Sequence, residues 1–201
     1  MTKARFIDGP TQVELFERHF EAFLAVLREA LIEGSDNSPE RTVHEFPLAH
    51  SPHGETHLKM LFMPGTYKQT IGFKLLGFPL PRDRRPSMVQ GLSVVFDDDC
   101  SILAVLDART LTSLRTACVT ALGARYLAGS EVERIGVVGF GLQGRAHLAV
   151  LARMYAGARA CVYDLRPTGV TEYARAHAGQ IEVRVAQDPS DAARDADILI
   201  T

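Results

Sequence analysis

Arg134-Ile-Gly-Val-Val-Gly-Phe-Gly-Leu-Gln-Gly-Arg-Ala-His147 decides the fold of this chain. Residues 135–138 form a short apolar strand that runs into Gly139-Phe-Gly141-Leu-Gln-Gly144. A helical pattern follows at once, with Leu148, Leu151, Ala152 and Tyr155 at helical spacing. Strand, glycine turn and helix in that order make the dinucleotide-binding fingerprint. Gly139 permits the tight turn, Gly141 lets the backbone approach a pyrophosphate, and Gly144 lets the helix pack on the strand. N–H groups at the helix start receive the anion. Leu142 and Gln143 belong to the same cofactor-binding loop. The plain alternative is a strand-turn-helix corner with no ligand. A second strand, residues 160–163, argues for the nucleotide, because it ends in Asp164 about 25 residues beyond Gly139.

Asp164 bears on which nucleotide is bound. A carboxylate there accepts hydrogen bonds from the adenosine ribose and repels a 2′-phosphate, which favours NAD over NADP. Arg166 acts in the opposite sense, since a guanidinium pairs with a 2′-phosphate. The structural alternative for Asp164 is a turn cap ahead of Pro167.

At 201 residues and 46% apolar content, the chain buries one sizeable core or two modest ones. A net charge of −2 with no long basic block argues against nucleic acid as a partner. The first residues lack the apolar stretch of a signal peptide, and no run approaches the ~18 apolar residues of a membrane span. Cys100, Cys118 and Cys161 are odd in number and scattered, as free thiols in a reducing cytosol are.

Beyond Asp164 the pattern is a helix at 170–178, a strand at 181–185, a short helix at 190–195 and an apolar strand at 198–201. Four parallel strands with right-handed crossovers make the first part of a doubly wound sheet. A final apolar strand with an unpaired edge reads as a piece of a longer enzyme, whose remainder carries the rest of the sheet. The expected fold is therefore α/β: a mixed α/β domain over 1–129 and the first part of a Rossmann domain over 130–201.

The preceding region has a different pattern. Residues 10–33 read as one amphipathic helix, with Val13, Phe16, Phe20, Phe23, Leu24, Leu27 and Leu31 on its apolar side and a stop at residues 34–39. Strands follow at 42–46, 57–63, 70–78, 92–97 and 102–107, the last two joined by a turn containing Asp97-Asp98-Asp99. Residues 79–86 form a rigid basic loop. His50, His53 and His57 have metal-like spacing, but they sit in a Pro/Gly loop with no helix to align the rings, so no metal is expected.

Two cations stand out. Thr112 reads as the N-cap of a helix, which places Arg115 at the third helical position, the wrong sign beside the positive helix end. A bound substrate carboxylate would relieve that conflict; an outward side chain or a pair with Asp107 is the plain alternative. Lys74 shares a strand face with Gly72, Leu76 and Phe78, so it is either an edge-strand gatekeeper or a partly buried ammonium with a purpose.

Pro39-x-Arg41, Met63-Pro64-Gly65, Gly72-Phe-Lys74, Leu111-Thr-x-x-Arg115-Thr-Ala117, Arg125-Tyr-Leu-Ala128 and Gly139-x-Gly141-x-Gln143 follow in order. Together they resemble the ornithine cyclodeaminase/mu-crystallin family from about residue 39 onward. The resemblance implies an NAD-dependent homodimer with a nucleotide-binding domain and a mixed α/β domain for substrate and dimer contact. It implies that Arg41 and Arg115 hold the substrate carboxylate and that Lys74 is the active-site lysine. In the cyclodeaminase reaction the α-hydride of L-ornithine is removed and the δ-amine closes on the resulting imino carbon. Ammonia leaves, and the hydride returns to give L-proline. The alternatives are a ketimine or pyrroline-2-carboxylate reductase or amino-acid dehydrogenase, and a non-catalytic nucleotide-binding protein. The chain departs from the family at Gly65, where Ala is usual, and in the loop at 81–86. The family's catalytic aspartate is expected beyond Thr201.

Overall fold

The structure, a computed structural model, describes residues 4–33, 39–48, 56–80, 89–128 and 130–201. Contacts divide the chain into two compact units, residues 1–112 and 113–201.

The first unit opens with a short strand, β1 (Arg5–Ile7), and two helices, α1 (Gly9–Arg18) and α2 (Phe20–Glu33). Asp8 caps α1 by accepting the Thr11 N–H at 2.9 Å, and Pro10 stands in the first turn, where its missing N–H costs nothing. The single helix expected over 10–33 is broken at His19, whose φ of −120° leaves the helical range. Phe16 sets its ring edge-on to both Phe20 and Phe23, with centroids 5.4 Å apart in each pair. That cluster carries the apolar stripe across the break, so the pattern looks continuous although the backbone is not. Phe16, Phe20 and Leu24 are buried, whereas Val13 and Leu31 on the same stripe are exposed.

Five longer strands follow: β2 (Thr42–Leu48), β3 (Thr56–Tyr67), β4 (Thr70–Leu80), β5 (Gln90–Phe96) and β6 (Ile102–Asp107). They form an antiparallel meander, and β1 adds to β6 in parallel, giving the order β1-β6-β5-β4-β3-β2. A two-residue turn, with Lys68 at φ 51°, joins β3 to β4. Asp97 closes the β5–β6 turn by accepting the N–H groups of Asp99 and Ser101, so that carboxylate serves its own loop. The helix stop at 34–38, His50 and His53, and most of the basic loop at 79–86 lie outside the described residues.

Helix α3 (Ala108–Leu127) runs from the first unit into the second. Its cap is Asp107: Oδ2 accepts the Thr110 N–H at 2.9 Å and Oδ1 the Arg109 N–H at 3.3 Å. Thr112, expected at the cap, lies inside the first two turns.

The second unit then alternates β7 (Arg134–Val138), α4 (Leu142–Met154), β8 (Arg159–Tyr163), α5 (Thr168–Ala176), β9 (Glu182–Val185), α6 (Pro189–Ala193) and β10 (Ile198–Ile200). All four strands are parallel in the order β10-β7-β8-β9, so the chain crosses over after β9 and returns beside β7. This is the doubly wound arrangement expected of the fingerprint, and its switch point lies between β7 and β10. Val137, Leu148, Leu151, Val162 and Val170 have no exposed surface. Each such side chain contributes about 1.5–3 kcal/mol relative to exposure. Among the described residues, no helix is long and apolar enough to cross a membrane.

Candidate active site

The three glycines of the fingerprint turn act for three different physical reasons. Gly139 has φ +94°, a left-handed conformation costly for other residues, and its N–H donates to the Tyr163 carbonyl at the end of β8. Gly144 is buried in the first turn of α4, and a Cβ there would collide with the Gly139 carbonyl oxygen. Gly141 precedes α4 in extended conformation, and a Cβ on it would meet nothing within 4 Å. Among the described residues no side chain caps α4, so its first N–H groups have no side-chain acceptor. Leu142 and Gln143 are exposed at this mouth.

Asp164 lies directly after β8 and closes the turn from the other side. Its Oδ2 accepts the Phe140 N–H at 2.6 Å and its Oδ1 the Arg166 N–H at 2.8 Å. Donation from Arg166 N–H is the largest influence and holds the carboxyl below the usual carboxylate range. Burial opposes it, while the Phe140 N–H and the charges of Arg166 and Arg145 add to the lowering. The carboxylate is therefore both a turn cap and a strand-end acceptor with lone pairs remaining on each oxygen. Arg166 is exposed beside it.

Arg145 was not singled out by its sequence, yet it spans this turn. Its Nε donates to the Phe140 carbonyl at 3.3 Å, its Nη2 to the Gly169 carbonyl at 3.4 Å, and the guanidinium lies 5.3 Å from the Phe140 ring centroid. Its place just after Gly144, in the turn that faces the cofactor mouth, was the available signal. His147 joins α4 to α3, with Nδ1 2.7 Å from the Gln143 carbonyl and Nε2 3.1 Å from Thr120 Oγ1.

In the first unit, Lys74 is half-buried on β4, between β3 and β5. An interior strand needs no gatekeeper, which removes that reading. Lys74 pairs with Met63 on β3 and Ser93 on β5. Thr42 pairs with Phe62, so continuing the register by one residue sets Arg41 opposite Met63. Arg41, Met63, Lys74 and Ser93 thus form one cross-strand row on one face. By that continued register, Arg41 and Lys74 are two strand spacings apart, roughly 10 Å.

Arg115 requires a correction. With α3 starting at Ala108, Arg115 lies two turns into the helix and is exposed. The dipole conflict that seemed to call for an anion acts within the first turn, so it does not apply here. Arg115 belongs to the second unit, whereas Arg41 and Lys74 belong to the first.

Burial raises the Cys118 thiol to about 12 and also raises that of Cys161, which disfavours the reactive thiolate at both.

The doubly wound sheet, the glycine turn and the strand-end carboxylate define a dinucleotide-binding α/β protein. The chain matches the ornithine cyclodeaminase/mu-crystallin family over residues 12–201 and belongs to it. It is 31% identical over 188 residues to the delta(1)-pyrroline-2-carboxylate/delta(1)-piperideine-2-carboxylate reductase of Azospirillum brasilense, covering 90% of this chain and 58% of that one. It is 29% identical over 150 residues to the L-lysine cyclodeaminase of Streptomyces rapamycinicus, covering 70% of this chain and 42% of that one. Among solved structures it resembles Thermococcus litoralis delta(1)-pyrroline-2-carboxylate reductase, in complex with NADH and L-proline, with a TM-score of 0.77 at 21% identity. That likeness covers 97% of this chain and 60% of the other. The chain therefore spans less than two thirds of the length of these relatives.

Proposed function

We propose that this protein binds NAD(H) in its second unit and transfers hydride at the α-carbon of a small amino or imino acid. The observation that carries the reading is the uncapped start of α4, open beside Gly141, with the Asp164 carboxylate across the turn. Gly139, Gly141, Leu142, Gln143 and Gly144 receive the pyrophosphate, and Asp164 receives the adenosine ribose. Arg166 stands where an added 2′-phosphate would be met, but the strand-end carboxylate favours NAD over NADP. Bound NAD(H) supplies the hydride chemistry.

The residues of this chain hold the substrate. Arg41 and Arg115 take the carboxylate, whose planar geometry suits a guanidinium. Lys74 is the catalytic lysine: its ammonium binds the carboxylate or tunes the proton transfers. The opposite face of the first sheet carries exposed Phe46, Phe62 and Ile71, with Phe62, Phe73 and Phe96 in a tilted ring contact series. That surface supports a homodimer of this chain. Three free cysteines support a cytoplasmic location.

The finer reading is cyclodeamination of L-ornithine to L-proline and ammonia. A second reading, reduction of a cyclic imine such as Δ1-pyrroline-2-carboxylate, is favoured by the reductase relative that aligns over 90% of the chain. The purified protein is assayed with L-ornithine and NAD+, and separately with Δ1-pyrroline-2-carboxylate and NADH. Proline and ammonia without net cofactor change support cyclodeamination, and stoichiometric NADH oxidation supports reduction. Absence of both reactions from an enzyme that carries the aspartate expected beyond Thr201 contradicts the proposal. Arg115→Ala should lower kcat/KM, because a guanidinium paired with the substrate carboxylate is lost. Arg115→Lys should recover little, and NAD affinity should be unchanged in both. Near-normal kcat/KM in Arg115→Ala removes that residue from the carboxylate site.

A further inference from the structure

Ser93 is buried, and its hydroxyl oxygen, with almost no exposed surface, has no hydrogen-bond partner among the described residues. A serine in the middle of a sheet strand has the shape of a small apolar residue plus one polar atom. Leaving that atom unsatisfied destabilises the fold, so a buried orphan hydroxyl calls for an explanation. Its place supplies one. Ser93 is the direct cross-strand partner of Lys74, so the two side chains share a face, with Cβ atoms about 4.5–5.5 Å apart.

The strands around this pair are held close. The flanking pairs are Gly72 with Val95 and Leu76 with Gly91. A Cβ on Gly72 would lie 2.8 Å from the Val94 carbonyl oxygen, and one on Gly91 would strike the Leu75 carbonyl oxygen. Glycine on either side thus brings β4 and β5 together where Lys74 faces Ser93. An ammonium has three donors, and a small carboxylate does not accept all three. The Ser93 oxygen, on the same sheet face as the lysine, is an acceptor for one of the rest.

We propose that Ser93 is a positioning residue for Lys74: its hydroxyl accepts a hydrogen bond from the Lys74 ammonium when that ammonium turns to an α-amino or α-imino carboxylate, fixing the direction of the other N–H groups. The inference rests on the role given to Lys74 above. Ser93 touches no substrate, because its oxygen is closed to solvent. Its effect passes through Lys74.

The test sets stability against affinity. Ser93→Val and Ser93→Thr have nearly the same shape and differ in the hydroxyl. Because the two differ only in the hydroxyl, the melting temperature of Ser93→Val should be at or above that of Ser93→Thr. Affinity for L-proline in the presence of NADH, and for L-ornithine in the presence of NAD+, is read by calorimetric titration. It should fall about tenfold in Ser93→Val, equivalent to about 1.4 kcal/mol, and remain within about threefold of wild type in Ser93→Thr. Cofactor affinity should be the same in all three. A purely structural serine gives equal substrate affinities for the Val and Thr variants, and that result overturns the inference. Lys74→Met separates the two layers of the argument. If it binds substrate as well as the wild type does, or if the wild type binds neither amino acid, the proposed function itself fails. If Lys74→Met loses binding while Ser93→Val matches Ser93→Thr, only the role of Ser93 fails.

Discussion

The two oxygens of Asp164 accept from different backbones, Phe140 in the glycine turn and Arg166 in the loop after β8. One side chain thus joins both walls of the proposed adenosine site. Its folded-state value lies below the ordinary 3.8, so its stabilising contribution is present above that value and is lost as pH falls through the folded value. Melting temperatures of wild type and Asp164→Asn should differ most near neutral pH and converge as pH falls below the ordinary carboxylate range. A gap that stays constant into acid contradicts an ionised cap. The same substitution should reduce a preference for NAD(H) over NADP(H) that is at least about tenfold in the wild type, some 1.4 kcal/mol. Titration of both cofactors reads this directly. A wild-type preference for NADP(H) would instead make Arg166 the deciding residue.

At the scale of elements, each glycine of the turn has its own predicted phenotype. Gly144→Ala pushes α4 away from the Gly139 carbonyl and should cost about 1–3 kcal/mol of stability, read by denaturant unfolding. A Cβ on Gly141 meets nothing within 4 Å, so Gly141→Val should fold normally and lose NAD binding. Retained binding by that variant would reduce the loop to a structural corner. Asp107→Ala should destabilise α3 by roughly 0.5–2 kcal/mol, because two backbone N–H groups lose their acceptor.

These elements also show what was legible beforehand. The parallel unit could be read from short stretches, because the constraints on Gly139 and Gly144 arise within a few residues of each. The start of α3 could not, since Asp107 both ends β6 and caps the helix, and Thr112 offered a plausible cap slightly later. Strand β1 has three residues, two of them exposed, and pairs with β6 far along the chain. Nothing local announces such a strand. The row that sets Arg41 in line with Lys74 depends on register across two turns, which alternation within a single strand does not specify.

On the scale of the whole molecule, the exposed aromatic face of the first sheet should bind its own copy. Sedimentation equilibrium should report a dimer for the wild type and a monomer for the Phe62→Asp, Ile71→Asp double variant, with cofactor binding by the monomer retained. A monomeric wild type at tens of micromolar, a concentration where a stable interface persists, contradicts the dimer. The central claim is hydride transfer at an α-carbon, and it is tested most directly with labelled cofactor. The protein is incubated with Δ1-pyrroline-2-carboxylate and each of the two 4-deuterated epimers of NADH, and the proline formed is examined by mass spectrometry and proton NMR. The account predicts one deuterium at the proline α-carbon from one epimer, and none from the other. Proline lacking α-deuterium with both epimers would contradict it.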